Sequence, residues 1–223
     1  MNRGINLLFP VPQPPQVSAK KKRVFIVDDH PVIRHGLAQT FTTTQDLEPA
    51  GEAASSSEAI GQLRACRADL VLVDISLAGT NGIELTKQIR AEHPRLPILI
   101  LSMHEASLYA GRALRAGANG YLMKRTGPEE LLRAVRALVS GVSYTSPQAG
   151  PGPGPALEEL TDRELEVLQL VGEGQSTREI AARLNLSNKT IETHRLNLKE
   201  KLRLKSAPEL VRYAVDWVRT QHG

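Results

Sequence analysis

The chain has 223 residues and a single cysteine, Cys66. One thiol can close no intrachain disulfide and build no cysteine metal cage, so a reducing cytoplasm is the natural setting. Cys66 itself reads as a small apolar filler on a helix. Long apolar runs are also missing. Nothing approaches the ~20 residues that a membrane span needs, so no membrane partner is expected. The brief N-terminal piece Ile5-Asn6-Leu7-Leu8-Phe9 is stopped by Pro10, too short and too proline-broken for a signal peptide. A dominant charge sign is absent as well. Residues 24–140 carry twelve positive and thirteen negative side chains, and residues 157–223 carry eleven of each. The formal net charge of +4 comes from residues 1–23, which hold five cations and no anion. Overall basicity is therefore no argument for nucleic acid; local clustering has to carry that argument.

Hydrophobic content of 41% and charged content of 23% are ordinary for a soluble globular protein. Residues 1–22 bear prolines and end in a lysine run, and read as a disordered tail. From residue 23 to 140 the pattern strand–helix repeats five times. Such alternation implies a parallel sheet covered by helices on both faces, a doubly wound α/β fold. Ser55 with Glu58 and Thr126 with Glu129 have capping-box spacing. Residues 141–156 hold no charge and include Gly150-Pro151-Gly152-Pro153-Gly154-Pro155, a linker that permits large relative movement. Residues 157–223 show no strand signal. Further capping boxes, Thr161 with Glu164, Ser176 with Glu179 and Ser206 with Glu209, open helices there, and Ser187 caps a fourth. This second unit reads as a small all-α domain.

Four apolar runs of the first unit end in residues that carry chemistry. Val24-Phe25-Ile26-Val27 runs into Asp28 and Asp29, and Leu70-Val71-Leu72-Val73 into Asp74. Ile98-Leu99-Ile100-Leu101 runs into Ser102, and Tyr121-Leu122-Met123 into Lys124. Buried parallel strands bind ligands at their carboxyl ends. Three carboxylates, a hydroxyl and an ammonium then meet at one edge. Crowded carboxylates repel one another, and a hard divalent cation such as Mg²⁺ relieves that repulsion. Asp29 and Asp74 read as direct metal ligands, Asp28 as a support through water, and the backbone carbonyl of Ser76 as a further ligand. Asp74 is the candidate nucleophile that takes a phosphoryl group to form an acyl phosphate. Lys124 supplies an ammonium and Ser102 a hydroxyl to the phosphoryl oxygens. Tyr121 alternates with Lys124 on the same strand; it reads equally as a half-buried strand aromatic and as a switch residue.

In the second unit, helices two and three are joined by only Asn185 and Leu186. A turn that tight is a DNA-binding helix–turn–helix, here spanning about residues 176–195. Between Ser187 and Lys205 the cations are Lys189, Arg195, Lys199, Lys201, Arg203 and Lys205, opposed only by Glu192 and Glu200. That surplus suits a phosphate backbone. Ile191, Leu198 and Leu202 form the buried stripe; Lys189, Thr193, Leu196 and Asn197 lie broadly opposite. Ser187 and Thr190 stand at the helix start, where N–H groups can bond phosphate. His194 lies at the edge of the core stripe, as a satisfied histidine or a base reader. Glu192 accepts from cytosine or pairs with a neighbouring lysine; both remain open.

At these residues a family resemblance emerges. Val27-Asp28-Asp29-His30, Leu72-Val73-Asp74-Ile75 and Gly117-Ala118-Asn119-Gly120-Tyr121-Leu122-Met123-Lys124 resemble the receiver domain of bacterial two-component response regulators. Leu160-Thr161-Asp162-Arg163-Glu164, Glu179-Ile180-Ala181, Lys189-Thr190-Ile191-Glu192-Thr193-His194-Arg195 and Lys201-Leu202 resemble the helix–turn–helix output domain of the NarL/FixJ (LuxR-type) class. The resemblance implies a flavodoxin-like five-stranded receiver and a transcription regulator. It implies phosphorylation of Asp74 by a histidine kinase, Mg²⁺ on Asp28 and Asp29, Ser102 and Tyr121 as switch, and Lys124 on the phosphate. The implied partners are promoter DNA, the kinase, a second copy on phosphorylation, and RNA polymerase. Turnover of an external substrate is not expected. Three departures stand out. Leu77-Ala78-Gly79 replaces the usual Met-Pro-Gly, which loosens that loop; Ser102 replaces the commoner Thr; Arg125 stands where Pro is frequent. Two rival functions fit less well. An aspartate-nucleophile phosphatase usually has a second aspartate two residues after the nucleophile, and Ser76 is there instead. A constitutive DNA-binding protein would have no use for the complete acidic site.

Overall fold

The computed structural model describes residues 20–77, 80–103, 106–145, 157 and 159–221. Residues 1–19 and 146–156, which hold most of the expected tail and linker, lie outside the described residues.

The first unit is built on a parallel sheet. Its main strands are β1 (Lys22–Val27), β2 (Leu47–Ala53), β3 (Leu70–Asp74), β6 (Ile98–Ser102) and β7 (Gly120–Met123), in the order β2-β1-β3-β6-β7. A sixth, two-residue strand, β8 (Tyr144–Thr145), extends the edge beside β7. Tyr144 and Thr145 fall within the stretch that reads as linker in the sequence, because two residues are too few to carry an alternation signal. A short antiparallel hairpin, β4 (Ser76–Leu77) with β5 (Thr80–Asn81), follows β3.

Alternation along the strands sorts the side chains onto two faces. Val24, Ile26, Leu70, Leu72, Leu99, Leu101 and Leu122 pack beneath α1 (Pro31–Thr42) and α5 (Pro128–Val139). Phe25, Val27, Val71, Val73, Ile100 and Tyr121 pack on the other side, beneath α2 (Ser56–Leu63), α3 (Gly82–Glu92) and α4 (Ala106–Arg115). A one-residue slip would exchange the two sets, so the register is strongly specified. It also fixes which strand-end side chains share the carboxyl edge.

Some helix starts differ from expectation. Ser55 accepts from the Glu58 N–H at 3.3 Å, but the Glu58 carboxylate accepts from Ala54 rather than from Ser55. Thr126 does not cap α5. Gly127 is the N-cap and Pro128 the first helical residue, while the Thr126 hydroxyl donates to the Met123 carbonyl at 2.5 Å. Proline's fixed φ suits the first helical position and pulls the start past Thr126. Cys66 lies beyond the end of α2, not on a helix, and its Sγ donates to the Ala50 carbonyl.

The second unit comprises α6 (Asp162–Gly172), α7 (Thr177–Arg183), α8 (Asn188–Lys201) and α9 (Ala207–Gln221). Thr161 and Ser176 form complete capping boxes, and Ser187 caps α8 through the Thr190 N–H at 3.0 Å. Ser206 accepts from the Glu209 N–H at 3.3 Å, but the Glu209 carboxylate accepts from the Lys205 N–H. Leu165, Leu168, Ile180, Ile191, Leu198, Leu210 and Trp217 share one core. Asn185 turns the chain between α7 and α8 with φ +50°, a left-handed conformation that asparagine tolerates well. Gly172 is required by packing: a Cβ there would stand 2.4 Å from the Ala214 carbonyl oxygen.

The two units touch. Arg112, on α4, donates to the carbonyls of Leu157 (2.5 Å) and Leu160 (2.6 Å) and pairs with Asp162 at 3.0 Å.

Candidate functional site

The strand ends converge. Asp28 follows β1, Asp74 ends β3, Ser102 ends β6 and Lys124 follows β7, on four adjacent strands of the sheet. The Lys124 ammonium bridges Asp28 Oδ2 at 2.6 Å and Asp74 Oδ2 at 2.7 Å. Asp28, Asp74 and Ser102 are buried, and the Lys124 side chain is 8% exposed. Backbone groups fix the aspartates. The His30 N–H donates to Asp28 Oδ1 at 2.8 Å, and the Ser76 N–H donates to the Asp74 carboxylate. The Lys124 N–H donates to the Ser102 carbonyl at 2.7 Å, which ties the ends of β6 and β7 together. Gly82 lies against this edge. A Cβ there would sit 2.0 Å from the Asp74 carbonyl oxygen, so the chain after the hairpin packs directly on the end of β3. Tyr121 is fully buried rather than half-buried, in the same apolar cluster as Tyr109 of α4.

The electrostatics follow from burial. Desolvation pushes the Asp74 carboxyl up to about 6. Lys124 opposes that shift, and the neighbouring charge of Asp28 adds to it. For Lys124, burial works against the ammonium, but two carboxylates outweigh it and the pKa is raised. The two directions are consistent, because Lys124 has two anionic partners whereas Asp74 shares its one cation with a second anion.

Ligand atoms of Asp28, Asp29, His30 and Asp74 lie within 4.8 Å of one another. Asp29 Oδ1 is buried and accepts no hydrogen bond, and His30 Nδ1 lies 2.7 Å from it. An orphaned carboxylate oxygen beside two further carboxylates fits a hard divalent cation. His30 was not singled out in the sequence, although it directly follows the acidic pair. Arg34 was also missed: its Nη1 donates to the Asp28 carbonyl at 2.6 Å.

On α8 the exposed face holds Lys189, Glu192, Thr193, Leu196 and Glu200. Leu196 is 49% exposed. Thr190, Arg195 and Asn197 are half-buried, with Asn197 on the flank about 80° from Lys189 at 100° per residue. Ser187 is exposed and its hydroxyl is engaged in the cap. His194 is half-buried at the core edge. Burial, then Arg163, holds its pKa below the usual imidazole range. Lys201 is engaged within the domain. Its ammonium pairs with the Glu164 carboxylate of α6 at 2.6 Å and braces the domain. Burial opposes the Glu164 charge, but Lys201 and the Thr161 N–H hold that carboxyl below its usual range.

Comparison with known proteins gives the same division. Residues 24–136 match the response regulator receiver domain, and residues 158–214 match the bacterial regulatory proteins of the luxR family. The Fimbriae Z protein of Salmonella typhimurium is 37% identical over 207 residues, covering 87% of this chain and 97% of that protein. The oxygen regulatory protein NreC of Staphylococcus carnosus is 34% identical over 209 residues, covering 86% of this chain and 96% of that protein. Among solved structures, RcsB from Salmonella enterica serovar Typhimurium, bound to promoter rprA in the presence of phosphomimetic BeF3-, is 26% identical. It matches with a TM-score of 0.56 over 87% of this chain and 98% of that one. The chain belongs to the NarL/LuxR family of two-component response regulators, with a receiver domain followed by a LuxR-type DNA-binding domain. No helix among the described residues is long and apolar enough to cross a membrane.

Proposed function

We propose that Asp74 is the phosphoacceptor of a phosphorylation-gated, DNA-binding transcription regulator working in the cytoplasm. The observation that carries this reading is the buried Asp74 carboxylate, held 2.7 Å from Lys124 and flanked by Asp28 and Asp29. Asp74 attacks the phosphorus of a phosphohistidine on a sensor kinase. A P–O bond forms, the P–N bond breaks, and an acyl phosphate remains on Asp74. Asp28, Asp29, Asp74 and the Ser76 carbonyl would hold Mg²⁺, which when bound neutralises charge on the phosphoryl oxygens. Lys124 can turn its ammonium from the free carboxylate to the phosphoryl group. Ser102 offers its hydroxyl, and Tyr121 carries the change to the α4 side of the sheet. The protein turns over no external substrate.

Lys189 and Thr193 face the major groove, with Asn197 reaching base edges from the flank. Ser187, Thr190 and Arg195 hold the phosphate backbone, and His194 supports the helix from the core edge. The exposed face of α8 stays open although the receiver touches the start of α6 at Asp162. That favours activation by pairing two copies on adjacent half-sites over unmasking of a covered helix. The test is sedimentation and promoter footprinting with and without a small phosphodonor. Phosphorylated protein should become dimeric and protect paired half-sites, and the Asp74→Asn variant should do neither. Phosphorylated protein that stays monomeric while binding DNA more tightly would overturn the pairing mechanism.

A further inference from the structure

Between the receiver and output domains lies a cleft of about 610 Å³ that the phosphoryl site does not use. Its walls are the entry to α3 (Thr80 to Lys87), the end of α4 (Arg112 to Ala116) and the entry to α6 (Leu160 to Arg163). That volume falls within the ~300–1,000 Å³ common for small-molecule sites. Two eleven-residue helices, α3 and α6, begin at it. Helix N-termini favour anions. Lys87, Arg112, Arg115 and Arg163 line the cleft, with Glu84 and Asp162 as the opposing carboxylates. Both carboxylates are engaged, Glu84 with Lys87 at 3.1 Å and Asp162 with Arg112 at 3.0 Å. Arg163 is likewise engaged, by Glu166 at 2.7 Å, which leaves Arg115 as the lining cation with no carboxylate partner among the described residues.

Helix ends and surplus charge alone would not make a site. Two of these walls also hold a buried donor that lacks an acceptor. Asn81 is 7% exposed; its Oδ1 accepts from the Ile83 N–H at 2.8 Å, and its Nδ2 has no partner. The Arg112 side chain is 9% exposed. Its Nη atoms serve Leu157, Leu160 and Asp162, and its Nε has no partner. Buried donors without acceptors are rare and costly, and here both line one cleft.

We propose that this cleft binds a small multiply charged oxyanion of the phosphate type. Its oxygens would meet Arg115 directly, and the spare donors of Asn81 and Arg112, which have almost no exposed surface in this structure, once those side chains turn toward it. Because the walls come from both domains, the ligand favours the arrangement in which they touch. Binding in this cleft needs no phosphoryl chemistry at Asp74.

The test uses full-length protein carrying Asp74→Asn, without divalent metal, so that the phosphoryl site takes up no probe. Inorganic pyrophosphate is titrated calorimetrically at ionic strength held constant with sodium chloride. Saturable binding of one anion per chain is expected. Adding Arg115→Ala should weaken it about tenfold or more, as loss of a charge-assisted contact does. Arg95→Ala, an exposed cation outside the cleft, should leave it unchanged. Absence of saturable binding, or equal affinity with and without Arg115, would overturn the proposal. So would an equal loss from Arg95→Ala, because the binding would then be diffuse charge attraction.

Discussion

Replacing Asp74 by asparagine should stabilise the metal-free protein. Asp74 is 3% exposed, and its carboxyl ionises near 6 instead of at 3.8. At about 1.4 kcal/mol per tenfold change, charging this group in the folded state costs roughly 3 kcal/mol relative to the unfolded chain. Asparagine keeps the shape and removes the charge, but loses an oxygen that Lys124 uses. The expected gain is therefore about 1–3 kcal/mol at pH 7.5. The sign is set by the direction of the shift. A raised carboxyl pKa means the folded state holds its proton longer, so wild-type stability falls as pH rises through the window from about 4 to 6. Below that window both carboxyl and amide are neutral and the difference should vanish. The assay is urea unfolding followed by far-UV circular dichroism, in chelator, at pH 4 and pH 7.5. Millimolar Mg²⁺ should then raise the wild-type midpoint far more than the variant's, because the cation binds the folded carboxylates. A variant less stable than wild type at pH 7.5 in chelator, or equally stabilised at pH 4, would refute the reasoning.

Lys124→Ala should act in the opposite direction. It leaves Asp28 and Asp74 buried without their cation, a loss of about 3–5 kcal/mol in chelator that Mg²⁺ partly restores; thermal unfolding with and without Mg²⁺ measures both. Gly82→Ala should abolish phosphoryl uptake or lower it severely, because the added methyl meets the Asp74 carbonyl oxygen at 2.0 Å and displaces the end of β3; phosphodonor labelling reads this directly. Asn197→Ala should relax sequence preference at one base position and cost about 1–3 kcal/mol there, whereas Arg195→Ala should weaken all sequences and flatten the salt dependence by about one. Binding to a panel of single-base variants at several salt concentrations separates the two.

The strand ends were legible because burial on both faces makes a parallel strand nearly continuous in apolar residues, so the first polar residue marks its end. Asp28, Asp74, Ser102 and Lys124 needed no more than that. β2 carries no such run: it holds Pro49 and Gly51 and lies at the sheet edge, where proline is tolerated. Thr126 misled because spacing alone cannot weigh a hydroxyl against the following Gly127-Pro128. The pairing of Lys201 was not legible for a different reason. A lysine in a basic run looks like part of a DNA face, and only the fold brings Glu164, 37 residues earlier, within 2.6 Å of it. The Arg112 contact to the second domain was invisible likewise, because an arginine on an amphipathic helix is ordinary and its partners lie 45 to 50 residues away.

The central claim is that Asp74 accepts a phosphoryl group with the help of Asp28, Asp29 and Lys124. Intact-mass analysis after incubation with a small acyl-phosphate donor and Mg²⁺ tests it most directly. The full-length protein should gain the mass of one phosphoryl group. It should lose that mass on mild alkaline treatment, as an acyl phosphate does, and fail to gain it without metal or with Asp74→Asn. An adduct of the same yield on the Asp74→Asn protein would contradict the account.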